Sequence, residues 1–318
     1  MKPEYSKELL AEMWKKLNLA REFETRVQWL FSMGLVHGTT HLGIGEEATA
    51  VGSILALKPQ DYVFGTHRGH SQAIAKGIDI DHMMAEILAK ETGVCKGKGG
   101  SMHIMAMDLG ILGANGIVGG GIPMATGAGY SSKYRGTDQV TLCFFGDGAA
   151  NEGTFHESIN MAAAWDLPVV YVIENNLYGI TVDSRRVTKE HDLAKRAIGY
   201  GIPGYTIDGN DVETVYKTMQ KAVKHAREGK GPSIVECKTY RHHGHNGSDP
   251  GTYRPPEEVE AWKARDPLIL FRDKGYLTEK ERKEIEDKVE QEVQAACKFA
   301  AESPYPEASE LMDDIFCD

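Results

Sequence analysis

Apolar residues recur every three or four positions over residues 6–31, at Leu10, Met13, Trp14, Leu17, Phe23, Val27, Leu30 and Phe31. That period puts them on one face and predicts a long amphipathic helix with a buried stripe. Further along the pattern changes. Residues 140–145 (VTLCFF) and 169–174 (VVYVIE) are short β-branched and aromatic runs, and helical spacing fills the interval between them. Strand, helix, strand is the outline of a βαβ unit.

Around this unit the same reading predicts helices over 46–57, 122–134, 192–200 and 212–228, and strands near 61–65, 204–208 and 234–240. Thr278 followed by Glu281 has the form of a capping box, and Ile285, Val289, Val293, Ala296 and Ala300 then share one helical face. Alternating elements of this kind imply an α/β fold, a mainly parallel sheet with helices on both faces. Neither an internal repeat nor a low-complexity linker divides the chain. One α/β domain is expected, with its core at about 35–255 and helical extensions at 1–34 and 256–318.

Candidate chemistry gathers at strand ends. Asp147 follows the first strand of the βαβ unit within Gly146-Asp147-Gly148, and Asn176 follows the second. Ligands of open α/β sheets bind beyond the carboxyl ends of the strands. A carboxylate and a carboxamide brought together there suit a hard cation that bridges to phosphate. Gly146 and Gly148 would let backbone approach a diphosphate, and the next helix start favours its charge. Arg68, between a short strand and a helix, is a candidate phosphate clamp or a surface arginine. The glycine-rich residues 93–121 contain no Walker-A pattern and carry apolar residues, so they read as a ligand-lining loop. The formal G-x-G-x-x-A match from Gly43 to Ala48 follows no strand, which weakens a dinucleotide reading. His41 projects from that loop. His67 and His70 lack a second ligand pair for zinc. His242, His243 and His245 crowd the loop after the last strand, where metal binding, proton transfer or phosphate contact are all open.

Composition narrows the classes. The chain has 318 residues, 36 Lys+Arg against 46 Asp+Glu and a net charge of −10, which argues against general nucleic-acid binding. Five cysteines without a C-x-x-C imply a reducing compartment instead of a disulfide framework. The first residues, MKPEYSKELLAEMW, are too acidic for a signal or transit peptide, and no apolar run reaches transmembrane length. A cytoplasmic protein with no membrane partner is expected.

Gly146-Asp147-Gly148 and Asn175-Asn176 flank residues 149–174, a separation of 26 residues. Together they look like the thiamine-diphosphate (ThDP) binding motif. With KGKGGSMH at 96–103, NGIVG at 115–119, GDGAANEG at 146–153, ENNLYG at 174–179, and HGH at 243–245 before SDPG at 248–251, the chain resembles a particular family. It is similar to the alpha subunit of the ThDP-dependent first component of 2-oxo acid and acetoin dehydrogenase complexes, over about residues 17–267. The stretch LGANGIVGGGIP at 112–123 is most like the acetoin branch.

The resemblance implies a fold, cofactors and partners. The fold would be the diphosphate-binding domain of a ThDP enzyme. Asp147, Asn176 and the Tyr178 carbonyl would bind magnesium. Arg68 and His245 would contact the diphosphate, and His67, Ala106, Gly116, Val118, Gly148 and Ala149 would line the cofactor site. His67 stands where pyruvate-specific members often have Tyr. His41 and His245 would handle protons at the reacting carbon. Acetoin would be cleaved to acetaldehyde and a hydroxyethyl/acetyl group passed to a lipoyl-bearing acyltransferase; oxidative decarboxylation of pyruvate or a branched-chain 2-oxo acid is the alternative. A beta subunit, in a tetramer of two alpha and two beta chains, would supply the glutamate that starts catalysis, leaving the isolated chain inactive. Asn246 replaces the serine through which mitochondrial members are phosphorylated. The residues also leave three other classes open: an NAD-dependent dehydrogenase, a metallohydrolase built on His242, His243 and His245, and a non-catalytic scaffold.

Overall fold

The computed structural model of the chain describes residues 5–315. Residues 1–4 and 316–318, the outer ends of the expected extensions and with them Cys317, lie outside the described residues. Helix α1 (Lys7–Ser32) starts at Ser6, whose hydroxyl accepts from the Leu9 N–H at 3.3 Å and so satisfies a donor that a helix start leaves open. Its buried stripe holds Leu10, Met13, Trp14, Leu17, Phe23, Val27 and Leu30. Then come α2 (Glu47–Leu55), β1 (Tyr62–Thr66), α3 (His70–Lys76), α4 (Ile80–Ile87), β2 (Ile111–Asn115), α5 (Gly121–Arg135), β3 (Thr141–Gly146), α6 (Gly153–Ala164) and β4 (Val169–Asn175). The two-residue strands β5 (Tyr178–Gly179) and β6 (Val182–Asp183) form a small antiparallel pair. The chain continues through β7 (Gly204–Asp208), α7 (Val212–Arg227), β8 (Ser233–Lys238), α8 (Pro256–Lys263), α9 (Pro267–Asp273) and α10 (Glu279–Glu302).

Among the described residues the main sheet runs β2-β1-β3-β4-β8-β7, every neighbouring pair parallel. From β1 the chain goes outward to β2, then returns to place β3 on the other side. The loops leaving β1 and β3 therefore diverge and open a crevice at their carboxyl ends. Side chains alternate across the sheet. Leu142, Phe144, Val170, Val172 and Val235 pack with Leu10, Val51, Val215 and Met219 of α1, α2 and α7. Cys143, Phe145, Tyr171, Ile173 and Ile234 pack on the opposite face with Ile122, Ala125, Phe155 and Ile159 of α5 and α6. Burial on both faces is why these strands read as unbroken apolar runs.

A third apolar cluster joins the second half of α1 to α3, α4 and α10. The capping box forms: Thr278 Oγ1 accepts from Glu281 N–H at 3.3 Å, and Glu281 accepts from Thr278 N–H at 2.8 Å. Val289, Val293, Ala296 and Ala300 are buried and Ile285 is half-buried.

Two elements differ from the sequence expectation. Residues 111–115, expected to be loop, form β2 at the sheet edge, where Gly110 at φ 73° and Gly113 at φ 143° mask the strand pattern. Residues 193–200, expected to be helical, take the tighter 3₁₀ form. The glycines of 93–100 also have an internal cause. The buried carboxylate of Glu86 accepts N–H bonds from Cys95, Gly97 and Gly99 at 2.8 Å and from Gly100 at 2.9 Å. A Cβ at Gly93 would stand 2.3 Å from Glu86 Oε2. Backbone there wraps a carboxylate of the chain itself.

Candidate functional site

The crevice at the carboxyl ends of β1, β3 and β4 is a cavity of about 250 Å³. It is lined by His67 and Arg68 after β1, Asp147, Gly148 and Ala149 after β3, Asn176 and Tyr178 after β4, and His245 from the loop after β8. Val118 enters from the loop before α5. Ala106 and Gly116 are not among the lining residues: Ala106 pairs with Ile111 in an isolated bridge, and Gly116 lies against the His103 ring. His41 stands beside the cavity, its ring 4.6 Å from that of His67 and 4.8 Å from that of His245.

At the deep end, Asp147 is 2 % exposed and its Oδ2 has no hydrogen-bond partner. Burial pushes the carboxyl up to about 6, while backbone N–H groups of Asp147 and Asn176 and the Arg241 charge pull it down. A buried carboxylate oxygen without a partner is costly, and a cation would relieve it. The Asn175–Tyr178 turn brings Asn176 and Tyr178 to the same cavity. Leu177 takes φ 72°, a left-handed conformation uncommon outside glycine. Tyr178 N–H donates to Asn176 Oδ1 at 3.2 Å. Asn176 Nδ2 donates to Glu46 Oε1 at 3.0 Å, fixing which end of the amide is oxygen. The Tyr178 carbonyl accepts from Arg241 at 3.1 Å and keeps a second lone pair. Gly148 packs against Gly179, each would-be Cβ 3.5 Å from the other Cα, an ordinary contact distance, so packing within the chain does not by itself require glycine at the second position of the Gly-Asp-Gly turn.

The cavity is also lined by residues without a sequence signal of their own, among them Glu46, Thr66, Glu174, Ile180 and Arg241. Glu46 sits at the N-cap of α2 yet makes no cap bond; its side chain is turned to Asn176 and, at 3.6 Å, to Arg68 Nε. Gly45 permits this turn, at φ 101° and with a would-be Cβ 2.4 Å from the Tyr240 carbonyl. Burial and the Glu46 charge raise the Glu174 carboxyl to about 8, against a Gln72 hydrogen bond of 2.7 Å. The available signal for Glu174 lies in its neighbours, Asn175-Asn176. Arg68 donates to the Leu42 and His245 carbonyls at 2.7 and 3.1 Å.

The His41 loop is anchored on both sides. Glu24, fully buried, accepts from Gly43 N–H at 2.8 Å and meets His70 Nδ1 at 3.1 Å. His70 Nε2 lies 2.9 Å from Ser101 Oγ, which lies 3.0 Å from Thr40 Oγ1. His70 thus has a structural place, its ring satisfied in the interior. The imidazoles facing the cavity differ. Burial, then the Arg68 charge, lowers His41 to about 3 and His67 to about 2, and the same causes lower His245 to about 4. All three are uncharged at neutral pH. His242 and His243 do not join them: the first faces Asp266 at 3.6 Å and the second Gln28 at 3.2 Å.

Residues 15–309 match the family described as dehydrogenase E1 component. The chain belongs to the dehydrogenase E1 component family. It is 47 % identical to the alpha subunit of acetoin:2,6-dichlorophenolindophenol oxidoreductase from Bacillus subtilis, over 96 % of this chain and 92 % of the relative. The corresponding subunit from Cupriavidus necator is 42 % identical over 98 % of this chain and 95 % of the relative. The pyruvate dehydrogenase E1 component subunit alpha of Rhizobium meliloti is also 42 % identical, over 98 % and 91 %. An E1 dehydrogenase chain is an oxidoreductase component, and the family implies ThDP as its cofactor. The parallel sheet and its switch-point crevice accord with that fold, which makes the NAD and metallohydrolase readings unnecessary. No helix among the described residues is long and apolar enough to cross a membrane.

Proposed function

We propose that this chain is the alpha subunit of a ThDP-dependent enzyme that cleaves acetoin, releasing acetaldehyde and passing the remaining two-carbon unit, oxidised to acetyl, to the lipoyl disulfide of an acyltransferase. The substrate choice rests on the 47 % identity to the Bacillus subtilis acetoin subunit, and the clustered imidazoles of His41, His67 and His245 at the cavity are compatible with it. Neutral imidazoles donate and accept hydrogen bonds, which suits the hydroxyl and carbonyl of an uncharged hydroxyketone. The Bacillus subtilis and Cupriavidus necator relatives support the same branch. Pyruvate decarboxylation is the second reading, favoured by the Rhizobium meliloti relative.

Magnesium fits the deep end, where Asp147 has an unpartnered oxygen beside Asn176 and the Tyr178 carbonyl. ThDP held at this end of the cavity would supply carbanion chemistry toward the substrate carbonyl. Arg68 and His245 would hold the diphosphate, and His67, Val118, Gly148 and Ala149 would surround the cofactor, with Ala106 and Gly116, on either side of β2, outside that lining. Glu46 would orient Asn176. His41 and His245 would move protons at the reacting carbon, since an unprotonated ring is ready to accept one.

A beta subunit would complete the site in a tetramer of two alpha and two beta chains. Val118 at 51 % and Ile180 at 58 % exposure, apolar residues at the cavity, support a partner surface over it. Free thiols at Cys95, Cys143, Cys237 and Cys297 suit a cytoplasmic setting. The chain with its extensions would be one unit, α10 being packed into the cluster with α1 and α4.

Reduction of an artificial electron acceptor by the alpha chain co-purified with its beta subunit tests this reading. With ThDP and magnesium present, acetoin is expected to support turnover and pyruvate little. Turnover on pyruvate alone would move the chain to the second reading.

A further inference from the structure

The three imidazoles at the cavity have a property that neither acetoin cleavage nor diphosphate binding requires. Their ligand atoms all lie within 4.8 Å of one another. The ring centroids are 4.6, 4.8 and 5.7 Å apart. His41 is 6 % exposed, and the Nδ1 atoms of His41 and His245 are buried without a hydrogen-bond partner. They come from three separate segments: the loop before α2, the turn between β1 and α3, and the loop after β8.

We propose that His41, His67 and His245 form a three-imidazole site for one zinc ion, distinct from the Asp147–Asn176 end of the cavity, and that zinc bound there closes the site to substrate. Three histidines with an open fourth position are a known zinc arrangement, with Zn–N distances of about 2.0–2.1 Å. Tetrahedral ligands at that length stand about 3.3 Å apart, so the rings need to close by no more than about 1.5 Å. Ion choice follows from ligand chemistry. Imidazole nitrogen suits zinc, whereas magnesium takes oxygen, so the two ends of the cavity select different ions.

Neutral imidazole is the ligating form, and burial keeps these rings neutral well below pH 7. The charges of Arg68 and Arg241 oppose a cation here. Asp249, which faces His245 from its own loop, offsets part of that charge, and the carboxyl groups of Glu46 and Asp147 line the same cavity. Zinc would consume the lone pairs that substrate and proton transfer use. On the function proposed above, His245 and His67 also face the cofactor, so inhibition would be relieved by ThDP as well as by substrate.

Metal binding is read without turnover, so the outcome is independent of which substrate the enzyme takes. The alpha chain co-purified with its beta subunit is titrated with zinc in excess magnesium, and bound zinc is measured after dialysis. One zinc per alpha chain is expected. His41→Gln, His67→Phe and His245→Gln should each weaken it by at least about tenfold, with His191→Ala, at an exposed position, unchanged. Cobalt(II) in the unsubstituted complex should give the intense visible absorption of a four-coordinate site, a readout that survives if a variant fails to fold. Equal zinc retention in the three variants, a six-coordinate cobalt spectrum, or no retained zinc would each overturn the proposal.

Discussion

Glu24, His70, Ser101 and Thr40 show how single residues decide the placement of a functional side chain. Each is almost fully buried, and each polar atom in the chain of contacts meets the next at 2.9–3.1 Å. The arrangement has the form of a nucleophile triad, yet Ser101 is 3 % exposed and lines no part of the cavity. Its consequence is to hold Thr40, and with it the neighbouring His41. Ser101→Ala leaves His70 Nε2 with only the Ser101 carbonyl and Thr40 without its partner; a loss of about 1–3 kcal/mol is expected in urea unfolding. A stability equal to the parent would show that these contacts contribute nothing net.

The same scale governs pH. Folding lowers His41, His67 and His245 from 6.5 to about 3, 2 and 4. Between those values and 6.5 the unfolded chain binds more protons than the native one, so stability rises with pH across that window and levels off above it. The unfolding midpoint should fall on acidification from about pH 6.5 toward pH 4, and His67→Phe should make that fall shallower. An identical slope in the variant would contradict the low value for His67.

Among the elements, the βαβ unit and the flanking strands were legible because both sheet faces are covered. Leu142 and Phe144 face one helical layer while Cys143 and Phe145 face the other, and the sequence is apolar throughout. Phe144→Ala should cost about 3–5 kcal/mol, measured by chemical unfolding; a cost below about 1 kcal/mol would mean that the site collapses around the missing ring. β2 escaped notice since an edge strand with three of its five residues Gly, Ala and Asn has neither alternation nor an apolar run. Glu86 escaped for a different reason: nothing local marks a helical glutamate as the acceptor for four backbone N–H groups up to fourteen residues away. Glu86→Gln keeps the shape but turns an amide toward two of those donors. A destabilisation of about 2–3 kcal/mol is expected, and near-parent stability would mean that the loop holds its form without the charge. Glu46, likewise, reads in sequence as an ordinary helix start, and its turn toward Asn176 becomes visible only when the loop after β4 is folded beside it. Asp147 and Asn176 could be paired from sequence because each immediately follows a strand and adjacent parallel strands end together.

For the whole molecule, the strand order sets the outcome. Putting β1 between β2 and β3 opens the sheet where Arg68, Asp147 and Asn176 emerge, so the proposed diphosphate clamp and cation site would face each other without any side chain having to reach far. The exposed apolar residues at this edge, Val118 and Ile180, belong to a surface that another chain would cover. The purified alpha chain alone should therefore show no acetoin-dependent acceptor reduction, with turnover restored by adding the beta subunit; robust turnover by the alpha chain would remove the need for a shared site. The most direct test of the account is a ThDP binding isotherm on the alpha chain with its beta subunit, with and without magnesium, for the parent and for Asp147→Ala. Binding should require magnesium and weaken on the order of a hundredfold in Asp147→Ala. Equal affinity with and without magnesium, or parent-like binding by Asp147→Ala, would contradict the placement of the cation and the cofactor at the ends of β3 and β4.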